Sequence, residues 1–267
     1  MPRQPRLDIP HVLHHVIVRG IEKRDIFADD DDKERFVSRL SSLLTKGATK
    51  CFAWSLMSNH LHLLLMPTVA SLSETMRRLL TGYAVYFNRK YNRSGHLFQN
   101  RYKSILCEEE PYFLELIRYI HLNPLRAGLV KNLEELDRYP WSGHSVLLGN
   151  RAMEGQDTDE VLARFGSKKK NSLLGYRKFI ANGIAAGRRN DLVGGGLKRS
   201  QLGHEASRQV EAYDERILGS GGFVETLTGA DDKSILKRSP QCLTELLSKV
   251  CDRLVCLDRG AIVALAK

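Results

Sequence analysis

The stretch "TKCFAWSLMSNHLHLLLM", residues 49–66, decides how the chain is read. Its two apolar halves, 49–56 and 60–66, are separated only by the polar break "MSN", which predicts two strands joined as an antiparallel hairpin. On a strand, residues 60 and 62 project from one face while Leu61 goes to the other. His60 and His62 therefore stand side by side in an otherwise aliphatic strand. Such a pair can give one divalent cation two nitrogen ligands, provided a third arrives from elsewhere and positions stay open for substrate oxygens. Taken alone, the two histidines read first as structural residues of a half-buried strand.

Working outward, "VLHHVIVR" (12–19) reads as a strand closed by Gly20. "DDDDKERFVSRLSSLLTKG" (29–47) follows as a helix, with Phe36, Val37, Leu40, Leu43 and Leu44 at helical spacing. Its four leading carboxylates complement the helix dipole and point in different directions, so they are expected to be structural rather than a metal cluster. "SLSETMRRLLTGYAVYFNRKY" (71–91) is a second helix, in which Ser71 and Glu74 fit a capping box. After the polar loop "NRSGHLFQN" comes a strand, "YKSILCEE" (102–109), and then a helix over 111–122 expected to stop near Asn123-Pro124. The order β-α-β-β-α-β plus one further helix predicts an α+β fold: a ferredoxin-like split βαβ antiparallel sheet with both early helices on one face. The extra helix is then free to cover the other face. Tyr119 and Asn123 lie four apart on it and share a side.

The 267 residues suffice for one large domain or two modest ones, and a boundary is expected after "YPWSGHSVLLGN", near residue 150. Residues 151–267 read as a mostly helical C-terminal region, and "CLTELLSKVCDRLVCLDRGAIVALAK" (242–267) as two short helices that suggest a truncated DNA-binding segment. Lys and Arg exceed Asp and Glu by 41 to 31, a net charge of +10 that favours a polyanionic partner. Five cysteines (Cys51, Cys107, Cys242, Cys251, Cys256) without a C-x-x-C pair argue against a disulfide framework or an ordinary zinc ribbon and suit a reducing cytoplasm. No signal core or membrane-spanning run is visible, so no membrane association is expected.

Several motifs in order resemble the single-tyrosine HUH transposases, specifically the REP-associated tyrosine transposases: "RGIEKRDIF" (19–27), "MSNHLHLLL" (57–65), "YFNRKYNRSGHLFQNRYKS" (86–104), "RYIHLNPLRAGLV" (118–130) and "YPWSGH" (139–144). The resemblance covers most of residues 8–148. It implies that His60 and His62 bind a divalent metal, Mg²⁺ or Mn²⁺, and that Tyr119 is the catalytic nucleophile. It also implies that Asn123 completes the ligand set where many relatives carry glutamine; His121 is either a substitute ligand or a surface residue. The implied activity is cleavage and rejoining of single-stranded or hairpin DNA, such as REP-like repeats, through a 5′-phosphotyrosine, by a monomer or homodimer in the cytoplasm at the nucleoid. "LVGGGLKRS" (192–200) and "DERILGSGGFVE" (214–225) occur in longer relatives.

Arg89, Lys90, Arg93, Arg101 and Lys103 interleave with Tyr86, Phe87, Tyr91, Phe98 and Tyr102. That mixture neutralises phosphates and stacks bases, so these cations are the candidate DNA-binding residues. Arg118 and Arg126 flank Tyr119 in sequence, where they would either favour its ionised form or simply be solvated. The competing class is a non-catalytic DNA-binding regulator derived from a transposase. An RNA-binding module is weaker, because no R/K-G-F-G-F-V-type aromatic motif is present.

Overall fold

The computed structural model describes residues 6–187, 189–192 and 214–229. Strand β1 (Leu13–Arg19) leads into helix α1 (Asp30–Gly47), strands β2 (Thr49–Leu56) and β3 (His60–Pro67), helix α2 (Leu72–Lys90), strand β4 (Lys103–Cys107) and helix α3 (Glu109–His121). The strands form a sheet in the order β2-β3-β1-β4, all antiparallel, as the split βαβ pattern predicts. A short strand β5 (Ile217–Leu218), not foreseen from the sequence, adds to β4 in parallel.

Alternation along the strands creates two apolar faces. Val16, Val18, Trp54, Leu61, Leu63 and Leu65 bury one face against Phe36, Leu40 and Leu44 of α1 and Met76, Leu79 and Tyr83 of α2. On the other face Leu13, Ile17, Ala53, Leu64 and Ile105 pack with Phe113, Leu116, Ile117 and Ile120 of α3. Each such side chain contributes roughly 1.5–3 kcal/mol when fully removed from water. Both faces are therefore strongly specified, and a one-residue slip of β3 would turn its histidines into the wrong layer.

The acidic run starts α1 as anticipated. Asp29 caps the helix by accepting from the Asp32 amide, and the buried Asp32 carboxylate accepts from the Ala28 amide. Ser71 caps α2 by accepting from the Glu74 amide. Helix α3 begins two residues before the expected start, and the chain does not straighten at Asn123-Pro124. It bends at Leu122 into a further helical turn, α4 (Asn123–Arg126), because proline fits the first turn of a helix, where its missing N–H has no partner to lose.

Helices α5 (Leu133–Arg138), α6 (Gly143–Leu147), α7 (Thr158–Ala163) and α8 (Lys169–Asn182) complete the layer beside α3. The position expected to be a boundary, near residue 150, falls inside one compact unit that runs to Gly221. Immediately past it the Asp157 amide donates to the Cys51 carbonyl and Gln156 accepts from the Trp54 indole N–H. Val161, Tyr176 and Ile180 then join the second core. Helix α9 (Gly221–Gly229) is described as far as Gly229, and the expected helices over 242–267 lie outside the described residues. Among the described residues no helix is long and apolar enough to cross a membrane.

Candidate active site

The sheet register assembles the site. Ile17 pairs with His62 and Arg19 with His60 across β1 and β3, while His15 pairs with Ile105 and Ile17 with Lys103 across β1 and β4. Paired residues share a face, so Arg19, His15, His60, His62 and Lys103 all belong to the side that α3 covers. The His60 and His62 ring centroids are 5.5 Å apart and those of His15 and His62 5.2 Å apart, the latter nearly stacked.

Helix α3 delivers the phenol. Leu116, Ile117 and Ile120 bury its sheet-facing side, which carries the half-buried Tyr119 toward the imidazoles. Its ring centroid lies 5.6 Å from that of His62 and 5.9 Å from that of His15, both edge-on. The Arg126 guanidinium stands over the Tyr119 ring at 5.5 Å, and burial depresses its pKa. Its Nε and Nη1 have no hydrogen-bond partner among the described residues, nor has Nδ2 of the buried Asn123. Two guanidinium donors and an amide thus retain bonding capacity beside the phenol's helix.

The imidazoles are held neutral. Burial, with Arg19 adding repulsion, pushes His60 down to about 4. Burial likewise lowers His15 to about 4, with Lys103 contributing. His62 is pushed well below its ordinary value by burial and then by His15 and His60. Neutral rings near pH 7 keep a lone pair available, which a nitrogen ligand requires. His60 Nδ1 is 2.7 Å from Asn59 Oδ1, and Asn59 Nδ2 donates to the Lys23 carbonyl, so the amide orientation is fixed by its partners. His60 therefore donates from Nδ1 and keeps its lone pair on Nε2. Among the described residues no group of three or more His, Cys, Asp or Glu is placed to hold a metal ion.

His121 is neither a surface residue nor directed at this site. It is fully buried, with Nδ1 2.8 Å from the Tyr176 hydroxyl on α8. Helical geometry turns position 121 about 200° from position 119, which sends it into a different contact layer. Arg118 is likewise occupied, pairing with Glu115 and lying 4.4 Å from the Phe179 ring centre.

The candidate DNA-binding cations divide. Lys103 shares the histidine face, and the segment carrying Arg101 follows a loop laid along the end of β1: the Ile21 amide donates to the Leu97 carbonyl and the Gln99 amide to the Arg19 carbonyl. Arg89, Lys90 and Arg93 belong to the α1/α2 layer on the opposite face. Lys90 is bound into that layer, 2.7 Å from Asp29 and 2.9 Å from Asp32, and Arg93 lies over the Phe87 ring.

Two residues of the site were not singled out from the sequence, His15 and Arg19. Their signal was alternation: in "VLHHVIVR", positions 15, 17 and 19 share a face, but only the pairing with β3 shows which face that is. His14, one residue earlier, points the other way to Ser104 Oγ and the Ile9 carbonyl.

Residues 9–123 match a family model described as "Transposase IS200 like". No curated protein matches the chain. Among solved structures, one described as "Structure of the REP associates tyrosine transposase bound to a REP hairpin" aligns with 60% of this chain and 96% of its own, at 15% sequence identity and a TM-score of 0.46.

Proposed function

From the premise that residues 9–123 carry the sequence of an IS200-like transposase domain, we propose that the chain cuts and rejoins single-stranded or hairpin DNA in a metal-dependent reaction, with Tyr119 as nucleophile. The observation that carries this reading is the Tyr119 ring at 5.6 Å from the ring of His62, although helix and strand are distant in the chain. His60 and His62 present neutral imidazoles, and Asn123 is a buried amide whose oxygen would be the third ligand. That donor set fits one hard or borderline divalent ion such as Mg²⁺ or Mn²⁺, with positions left for substrate oxygens. Bound there, the ion would supply charge stabilisation to the non-bridging oxygens of a phosphodiester.

The protein's own groups do the rest. The Tyr119 oxygen forms a bond to phosphorus as the bond to the 3′ oxygen breaks; the phenol loses its proton and the departing strand takes one up as a 3′ hydroxyl. The 5′ phosphate stays on the enzyme as an ester, so the reverse step rejoins a strand without an external energy source. Arg126, over the phenol ring, stabilises negative charge on the tyrosine oxygen. Arg19 and Lys103, on the same face as the histidines, flank the path of the strand and offset its phosphate charge. Phenol and imidazoles come from one chain, so a monomer contains the whole set, and a homodimer is not required to assemble it.

The test is a labelled hairpin oligonucleotide incubated with the protein and Mg²⁺ or Mn²⁺, then run on a denaturing gel. A protein-linked fragment is expected, lost in Tyr119→Phe and with EDTA. An adduct that persists in Tyr119→Phe removes Tyr119 as nucleophile. DNA binding without any adduct from the unaltered protein favours the regulator reading instead. In Asn123→Ala, metal titration is expected to show weakened affinity, and an unchanged curve takes Asn123 out of the ligand set.

A further inference from the structure

His15 lies wholly buried in β1, and both its nitrogens are engaged: Nδ1 is 3.2 Å from the Leu192 carbonyl oxygen, and Nε2 is 2.9 Å from His62 Nδ1. The partners dictate the protons. A carbonyl only accepts, so His15 carries its hydrogen on Nδ1. A neutral imidazole has one N–H, which leaves His15 Nε2 as an acceptor. The hydrogen between the two rings therefore belongs to His62 Nδ1, and the lone pair of His62 is on Nε2. His60 reaches the same state independently through Asn59.

We propose that His15 is a positioning residue: anchored by the Leu192 main-chain carbonyl, it holds His62 in the Nδ1–H tautomer and in one ring orientation, so that Nε2 is always the nitrogen offered to the cation. This rests on the metal-dependent reading above and deepens it. A ligating histidine generally donates its other N–H to an oriented acceptor, and loss of that acceptor typically lowers metal affinity about 10–100-fold. Here the acceptor is itself a histidine whose tautomer is set by main chain. Leu192 ends the short helical turn Asn190–Leu192, so the segment after α8 is tied to the metal ligand through two hydrogen bonds in series. A bland reading, in which His15 only fills space, does not explain why both nitrogens are satisfied in a sequence that excludes the wrong tautomer of its neighbour.

Nitrogen-15 NMR of the histidine side chains in the metal-free full chain reads the tautomers directly. His15 and His62 are both expected as Nδ1–H, and His62 found as Nε2–H overturns the proposal without reference to metal or activity. Two variants extend the test. His15→Leu fills the space but accepts nothing, and it is expected to mix the His62 tautomers and weaken Mn²⁺ binding by about 10–100-fold in a calorimetric titration. His15→Gln has an amide that donates to Leu192 and accepts from His62, and it is expected to restore affinity to within a few-fold. Equal affinities in all three proteins, or His15→Gln no better than His15→Leu in a folded pair, overturn it. If His15→Leu does not fold, the wild-type spectrum and His15→Gln still decide. Should the unaltered protein bind no Mn²⁺ while His62 is Nδ1–H, the metal reading fails and the tautomer assignment survives.

Discussion

At the scale of single residues, a buried relay shows histidines closed into a network of their own. His144 Nε2 is 2.9 Å from Asp137, whose carboxylate only accepts, so the His144 hydrogen is on Nε2 and its Nδ1 accepts from the Tyr176 hydroxyl at 2.7 Å. The same oxygen then accepts from His121 Nδ1 at 2.8 Å. His121 Nε2, without a partner among the described residues, is left as a lone pair, which costs less than an orphaned N–H. Tyr176→Phe removes the shared hydroxyl and leaves a buried donor and a buried acceptor unmatched. Stability is expected to fall by about 1–3 kcal/mol in urea unfolding. Burial also lowers the pKa of His14, His121 and His144 below the ordinary 6.5, for His144 against a partial offset from Asp137. The unfolded chain then binds more protons than the folded one below that value, so stability rises with pH through this window and is lost on acidification. A lower urea midpoint at about pH 5 than at about pH 7 is the expected result, and equal midpoints contradict it. From the sequence His121 and His60 were both candidate ligands, because residue type and spacing are alike for a ligand and for a member of a closed network.

At the scale of elements, the decisive contact is the tie between the start of α1 and the end of α2. Lys90 sits between Asp29 and Asp32, and the Tyr91 hydroxyl, with one hydrogen to give, lies 3.0 Å from the first carboxylate and 2.8 Å from the second. In sequence Lys90 belongs to a basic and aromatic run that reads as a DNA grip, and only the packing of two helices reveals that its charge is already matched. Lys90→Gln is accordingly expected to lower the melting temperature while leaving the salt dependence of DNA binding unchanged. Lys103→Gln, on the histidine face, is expected to reduce the slope of log affinity against log salt by about one. Reversed results would put the DNA on the α1/α2 layer. Helix α3 shows the opposite case. Its helical character was legible, and the buried positions 113, 116, 117 and 120 orient Tyr119 toward the sheet.

At the scale of the whole molecule, the transposase-like segment does not bury itself. From beyond residue 150, Gln156 accepts from Trp54 of the first core, Val161, Tyr176 and Ile180 close the second, and β5 pairs with β4. A chain ending at residue 150 is expected to unfold at markedly lower urea than one ending at residue 221, which keeps the entire unit; similar midpoints would show that the later segment is dispensable. The packing past residue 150 was not legible in the sequence, because short amphipathic pieces between polar runs look the same whether they pack on a neighbouring core or form their own. The sequence by itself determined the split βαβ order, the sharing of one face by His60 and His62, and a helix carrying Tyr119, since these follow from periods of two and 3.6 residues that hold locally. Only the tertiary structure set His15 and Arg19 on the face of His60 and His62, closed His121 onto Tyr176, paired Lys90 with Asp29 and Asp32, and carried the fold past residue 150. Strand register and helix docking join residues distant in the chain, and no local period records which partner will face which.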